Sequence, residues 1–476
     1  METLLQVLSQ DEQTQVHERT LKILAETGVR VETAKGRQYL KDVGADVDDN
    51  TKVVRIPRTL VEESLRLAPK KFSLGARRPG WDLKMNNGDC TLMPDGEGIT
   101  IIDRNTGEHR PSTYNDWLEA TRLSDALDEI GVYWAMTEPG EVQDSIPDLI
   151  SHWRKMFGNF SKHIQDSSST AEESRWLLEV LQAIFGDKET IRRKHPYSFL
   201  VCPQSPLIIE EQHTDAYLEL AGWDIPIAVM PMPLMGGTGP GNMLSMTILG
   251  NCEVLSMLCL VQAAAPGTPF IYAPALAMMN PRTGMLSSGA IENGLLSSAA
   301  VEMARYYELP VEGSGGGTDT HAPGIQATLE RAMNAMLPML SWPDLLVGAG
   351  LLGGSMIVSL EQLVIDAEMF RMNKQAHRGI GANEDSWLDD VIQRAGPGGN
   401  FLGEKSTASS MRSGEWLMPG LGVHEPRKSW EDSGKKGIRE EAREKVDTLL
   451  AEHQPLPIPA EVEQELERIE QKAKNL

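Results

Sequence analysis

The stretch Leu309-Pro-Val-Glu-Gly-Ser-Gly-Gly-Gly-Thr-Asp-Thr-His-Ala-Pro-Gly-Ile-Gln326 decides how the rest of the chain is read. A short apolar run, Pro310 to Val311, ends at the carboxylate of Glu312. Four glycines follow around Ser314, and Thr318, Asp319, Thr320 and His321 then precede a helical pattern. Glycine lets backbone approach other groups where a Cβ would clash. The pattern is that of a strand ending in a polar, backbone-exposed site.

Working outward, the same unit recurs. Apolar runs at Cys90 to Met93, Ile130 to Met136, Phe160 to Ile164, Ser198 to Cys202, Ile225 to Met230, Pro269 to Ala273, Pro310 to Val311 and Leu345 to Val347 make eight candidate strands. Helical periods follow them at Tyr114 to Leu127, Gln143 to Phe157, Ala171 to Phe185, Ile208 to Ala221, Asn242 to Ala265, Ala290 to Tyr307, Ala327 to Leu340 and Ser355 to Met372. Strand and helix alternating eight times predict an α/β fold of the (β/α)₈ TIM barrel type, with a doubly wound sheet as the alternative.

Outside residues 76–375, which hold this barrel, the pattern changes. Residues 1–75 read as an N-terminal helical arm, in which Ser9-Gln-Asp-Glu12 and Thr59-Leu-Val-Glu62 are capping boxes. Residues 376–476 read as a C-terminal helical extension that opens with a glycine-rich segment carrying Trp387, Phe401, Trp416 and His424, suited to a lid or a docking segment. Two charged amphipathic helices, joined by Pro455-Leu-Pro-Ile-Pro459, close it as solvated cover.

Composition narrows the functional classes. A formal charge of -23 repels phosphate backbones and anionic lipid, so neither nucleic acid nor a membrane surface is expected as a partner. Cys90, Cys202, Cys252 and Cys259 show neither zinc spacing nor a disulfide framework, which predicts no metal site and a reducing, cytoplasmic setting. No signal-peptide pattern opens the sequence. Met243 to Ala265 is long and apolar, but Asn251 and Glu253 sit in its middle, which predicts a buried core helix with Glu253 satisfied by a structural partner. H-E-x-x-H, G-x-S-x-G and C-x-x-C are all missing.

In a barrel the chemistry gathers where the strands end. Glu138, Lys162, His163, Gln204, Tyr272, Glu312, Asp319 and His321 all fall there on this reading. Glu312 balances a cation, acts as a base or bonds Lys162 or His163, while His321 contacts a ligand or caps the next helix. Trp134 and Tyr272, with Phe401 or Trp416 from a lid, offer faces for a quaternary ammonium, or else core packing. Gly313, Gly315, Gly316 and Gly317 after strand 7, with Gly348 and Gly350 after strand 8, admit a phosphate or a flat cofactor, or are plain tight turns.

At these strand ends the chain resembles the trimethylamine methyltransferase superfamily. The resemblance runs through Val16-His-Glu-Arg-Thr-Leu-Lys-Ile-Leu-Ala-Glu-Thr-Gly-Val29, Phe72-Ser-Leu-Gly-Ala-Arg-Arg-Pro-Gly80, Gly315-Gly-Gly-Thr-Asp-Thr-His-Ala-Pro-Gly-Ile-Gln326, Phe401-Leu-Gly403, Trp430-Glu431 and Ala442-Arg-Glu-Lys-Val-Asp-Thr-Leu-Leu-Ala-Glu-His453. It implies transfer of a methyl group from an amine to the cobalt of a corrinoid (cobalamin) carried by a separate partner protein, without zinc, in an enzyme expected to be a homo-oligomer. The family's trimethylamine enzymes carry pyrrolysine near the Thr318 to His321 segment. This chain has standard residues there and looks like the non-pyrrolysine branch, whose substrates are quaternary amines such as glycine betaine. Glu312, Asp319 and His321 are then the catalytic candidates, Trp134, His163, Gln204, Tyr272 and Phe401 the substrate-binding ones, and the six loop glycines those nearest the corrinoid. A barrel enzyme for a phosphate-bearing substrate, and a betaine-binding protein without turnover, are the alternatives.

Overall fold

Short runs rich in Val, Ile, Leu and Phe form the buried strands of this molecule, and the amphipathic stretches between them form helices that cover them. The computed structural model describes residues 4–137, 145–382 and 384–475. The core strands are β1 Thr91–Pro94, β2 Val132–Tyr133, β3 His163–Asp166, β4 Tyr197–Val201, β5 Ile227–Val229, β6 Phe270–Tyr272, β7 Glu312–Ser314 and β8 Leu345–Ala349. The helices between and after them are α1 Tyr114–Ala126, α2 Ile146–Asn159, α3 Ala171–Phe185, α4 Gln212–Leu218, α5 Met243–Ala264, α6 Ile291–Tyr306, α7 Ile325–Ser341 and α8 Leu360–Arg378.

Pairing among these strands is parallel throughout. One sheet runs β2-β3-β4-β5-β6 and another β7-β8-β1. Two isolated parallel bridges, Leu92 to Ile130 and Tyr272 to Val311, join the sheets at both edges. The molecule is thus a mixed α/β fold in which sequential strands are neighbours.

Successive strand residues point to opposite faces, so each strand serves two apolar compartments. Met93, Val132, Leu200, Ala228, Met230, Ile271, Ala273, Leu345 and Val347 form the compartment bounded by the strands. Tyr133, Ile164, Phe199, Val201, Ile227, Val229, Phe270 and Tyr272 pack with the helices in the other. In α5, 17 consecutive residues of 22 are buried, Met246 through Gln262, which is the burial of a core helix. Asn251 and Glu253, in its middle, are satisfied. Asn251 Nδ2 donates to Thr20 Oγ1 (2.9 Å) and Tyr307 Oη (2.8 Å), and Glu253 accepts from Ser205 Oγ (2.9 Å) and the Leu207 amide (2.8 Å).

Several expectations shift. β3 lies three residues later than the apolar run placed it, and β7 begins at Glu312 instead of stopping before it. The arm is not purely helical. Val29–Val31, Asp46–Asp48 and Val53–Arg55 form antiparallel strands, and Ile208–Ile209 joins them in parallel, which shortens the helix expected from Ile208 to Gln212–Leu218. Ser9 caps its helix with the expected box, whereas the helix Arg58–Leu67 starts after Pro57 without a side-chain cap. The proline already fixes the extended entry there, with φ -69° and ψ 152°.

Part of the glycine-rich segment is tied to α8. Gln375 Nε2 and Arg371 Nη2 donate to the carbonyls of Glu415 (3.1 Å) and Met418 (3.0 Å), and Arg378 bonds the Gly414 carbonyl. Lys374, in the same part of α8, donates to the Cys90 carbonyl just before β1 (3.1 Å). The anchored part of the segment, Gly414 to Met418, therefore flanks the end of α8 where the chain enters β1, away from the loops that follow β7 and β8. Phe401 lies in the same extension, 43% exposed.

Candidate active site

Polar side chains inside an apolar compartment need partners, because an unpaired buried polar group is costly. Four such side chains face one another across β3, β4 and β7. His163 Nδ1 lies 3.0 Å from the Gly75 carbonyl and its Nε2 2.9 Å from Ser198 Oγ. Ser198 Oγ lies 3.1 Å from Gln165 Oε1, and Gln165 Nε2 donates to Glu312 Oε2 at 2.9 Å. The row ends at Glu312 Oε1, a buried oxygen with no hydrogen-bond partner in the described structure. Glu312 is 1% exposed, and burial pushes its carboxyl up to about 7 against the lowering bond from Gln165. Burial likewise drives the His163 imidazole down to about 3. A neutral histidine thus stands at one end of the row and a carboxyl poised near neutrality at the other.

Glu312 and two other carboxylates act on the Cys202 thiol. Cys202, just past β4, has its thiol pushed up to about 12, first by burial and then by the charges of Glu97, Glu312 and Glu210. Glu97, on the loop after β1, is exposed and holds φ at 70°, a left-handed conformation that a non-glycine residue adopts at a cost of about 1 kcal/mol. Its amide donates to the Ala135 carbonyl at 2.8 Å, which fixes it beside the segment carrying Trp134. Gly96 lies flat on that indole, where a Cβ would come within 2.4 Å of Trp134 Cε2. Asp95 is raised by burial and bonded by Ser355 Oγ. The Trp134 indole thus packs against the strand-bounded compartment in which the Glu312 row lies.

The remaining sequence candidates are placed as follows. Glu138 lies outside the described residues. Lys162 turns away, with Nζ donating to the carbonyls of Leu127 (2.7 Å) and Ile130 (2.6 Å) and lying 4.3 Å from the Trp81 ring, and burial brings it down to about 8. Tyr272 points into the helix-facing layer, where its hydroxyl donates to Asn251 Oδ1 at 3.0 Å, so its ring does not meet Glu312. Gln204 is exposed, its backbone paired with Ile208. Asp319 ties two loops together, accepting from Ser287 Oγ (2.9 Å) and the Gly289 amide (3.2 Å). His321 is exposed against Gly353, where a Cβ would stand 2.8 Å from its Nδ1.

The loop glycines are closely packed. A Cβ at Gly348, whose φ is 137°, would lie 1.9 Å from the Gly315 carbonyl oxygen, one at Gly350 2.3 Å from Met136 Cε, and one at Gly317 2.2 Å from Ser288 Oγ. A Cβ at Gly313 would lie 3.3 Å from Pro343 and one at Gly315 3.1 Å from the α7 backbone at Ala335, while Gly316 has φ 82°. Amides that a phosphate would need are already used. Gly315 donates to the Val347 carbonyl (2.9 Å), Gly316 to Asn334 Oδ1 (2.7 Å) and Gly350 to Asp366 Oδ2 (2.8 Å). Asp366 is in turn paired with the buried Arg331 at 2.7 Å. Three of the six amides expected to cradle a phosphate are thus taken by the protein itself.

Gln165, Ser198, Glu97 and Glu210 were not among the sequence candidates. Gln165 was findable, since His163-Ile-Gln165 alternates polar, apolar, polar at the strand period, which sets both polar groups on one face.

A family model described as trimethylamine methyltransferase (MTTB) matches residues 2–476. The trimethylamine methyltransferase MttB of Desulfitobacterium hafniense is 30% identical over 454 residues, covering 95% of this chain and 91% of that protein. The glycine betaine methyltransferase of the same species is 29% identical over 466 residues, covering 97% and 95%. A crystal structure of the Methanosarcina barkeri monomethylamine methyltransferase MtmB aligns with a TM-score of 0.49 at 12% identity, covering 98% of this chain and 92% of that one. A match across nearly the whole length, at that identity to named methyltransferases, assigns the chain: it belongs to the trimethylamine methyltransferase family and is a methyltransferase.

Proposed function

We propose that the protein transfers a methyl group from a quaternary amine, glycine betaine in the first instance, to the Co(I) of a corrinoid carried by a partner protein. The observation that carries this reading is the buried, unpartnered Glu312 Oε1, a place for a cation that lacks any N–H to donate. A relative named glycine betaine methyltransferase supports the substrate class, as do the standard residues at Thr318 to His321. In the same reading the two parallel sheets and their two bridges form one closed (β/α)₈ barrel, with Glu312 inside it.

A quaternary nitrogen leaves as a neutral amine once its methyl carbon is attacked in line, so neither protonation nor a covalent helper is required. The protein's work is orientation and charge. Ionised Glu312 holds the ammonium, and the indole of Trp134 packs against its methyl groups. Gln204 and His321, exposed on the loops after β4 and β7, are the groups left for the betaine carboxylate. The Co(I) corrinoid supplies the nucleophile. Exposed Ile99, Met232, Met285 and Met356, on loops that follow the strands, give its carrier an apolar rim to rest on.

The test is a methyl-acceptor assay with the reduced corrinoid partner across glycine betaine, proline betaine, carnitine and trimethylamine, read from the cobalt spectrum. Methylation of cobalt by glycine betaine is expected. A response to trimethylamine alone would overturn the quaternary-amine reading.

A further inference from the structure

The hydrogen-bond row from Gly75 to Glu312 has a parity that its members cannot all satisfy with Glu312 ionised. Gln165 donates through Nε2 to Glu312 and accepts at Oε1 from Ser198. A serine hydroxyl has one proton, so Ser198 then has none to give to His163 and needs a hydrogen on Nε2. His163 Nδ1 faces the Gly75 carbonyl, which only accepts, and so needs a hydrogen as well. Both ring nitrogens carry hydrogens only in the imidazolium, which burial opposes.

A half-turn of the Gln165 amide removes the conflict. Neutral His163 donates from Nδ1 to Gly75, Ser198 donates to Nε2, and Gln165 Nε2 donates to Ser198. Gln165 Oε1 then faces Glu312 Oε2, a contact that is favourable only if Glu312 carries the proton. The row therefore has one satisfied neutral state, in which Glu312 is the acid, and an ionised state that is short of one hydrogen at His163.

We infer that Ser198 and Gln165 are positioning residues that hold Glu312 as the neutral acid until a cation reaches Oε1, whereupon the amide turns, Glu312 ionises and its proton passes to solvent. The cation part of this rests on the ammonium reading above, and the proton part stands on the row itself. The groups facing Glu312 are Gln165 of β3, Ser198 of β4 and Cys202 just beyond it, with Glu97 and Glu210 acting on the same thiol from their loops. Asp95, past β1, is bonded to Ser355, and the surrounding strands add apolar Met93, Ile271 and Leu345. Burial and Gln165 are the influences resolved on Glu312 itself.

Both neighbours should then move Glu312 in the same direction. Ser198→Ala removes the group that sets the amide, so Gln165 donates to the carboxylate freely. Gln165→Met removes the amide oxygen that accepts from the acid. The experiment is an infrared titration of the unliganded protein, following the carboxylic acid carbonyl band identified by its loss in Glu312→Gln. Ser198→Ala should lower the midpoint by about one pH unit, and Gln165→Met should lower it by less. Ser198→Thr, which keeps the hydroxyl, should restore the wild-type midpoint. A rise in either of the first two variants, or no shift in Ser198→Ala, would overturn the inference whether or not a betaine binds. Saturating glycine betaine below the midpoint should abolish the band. Calorimetric binding with the band unchanged would overturn the coupling, whereas no binding at all would count against the ammonium reading and leave the titration to decide the network.

Discussion

Two glutamates buried on opposite sides of the strand layer make an instructive pair. Glu253, in the helix-facing core, and Glu312, in the strand-bounded compartment, are both pushed by burial to about 7. Glu253 has both carboxylate oxygens engaged, one by Ser205 and one by the Leu207 amide. Glu312 has one oxygen bonded and the other bare. The same shift thus accompanies a structural tie in one place and an open valence in the other. A raised carboxyl marks burial, and only the unspent oxygen marks a site.

The sharpest way to break that comparison is to neutralise each member. Glu312→Gln should lower kcat/KM for methyl transfer by on the order of 1000-fold, since it removes the charge opposite the ammonium. Glu253→Gln should leave kcat/KM per folded molecule at the wild-type value, and equal losses in a steady-state assay would erase the distinction.

Stability against pH is the next handle. Burial raises the folded value of Glu253 from 4.5 to about 7, so within that window the folded state keeps a proton that the unfolded chain has released. Stability therefore falls as pH rises from 4.5 to 7 and levels off above it, by roughly 3 kcal/mol for this group. Urea unfolding across that range should show a shallower fall in Glu253→Gln than in the wild type, and Glu312→Gln should flatten it in the same sense.

Smaller effects refine the assignment of faces. Trp134→Ala should raise KM for a quaternary amine about tenfold, the worth of one desolvated cation–π contact, with little change in kcat. Tyr272→Phe should cost about 1 kcal/mol of unfolding free energy through the lost bond to Asn251 and leave KM unchanged. A KM effect from Tyr272→Phe would mean that its hydroxyl reaches substrate after all.

The same contrast explains what could be read without coordinates. Alternating apolar runs and helical periods predicted an α/β molecule, and the carboxylate in Pro-Val-Glu-Gly-Ser-Gly-Gly-Gly stood out because a lone charge follows an apolar run. Which way Tyr272 faces was not legible, since Phe270, Ile271 and Tyr272 are all buried and a strand buried on both faces shows no alternation. The glycines of the two loops looked like a cradle because sequence shows that a Cβ is missing but not what stands in its place. At Gly348 that is the Gly315 carbonyl. Ser198 was hidden among Tyr197, Phe199 and Leu200 as an ordinary small residue, and only its neighbours His163 and Gln165 give it a part.

The most direct test places the two glutamate variants side by side with the reduced corrinoid partner and glycine betaine, following the cobalt spectrum. Wild type and Glu253→Gln should convert Co(I) to methylcobalt at matching rates per folded enzyme while Glu312→Gln leaves the Co(I) spectrum in place. Wild-type turnover that survives in Glu312→Gln would contradict the account.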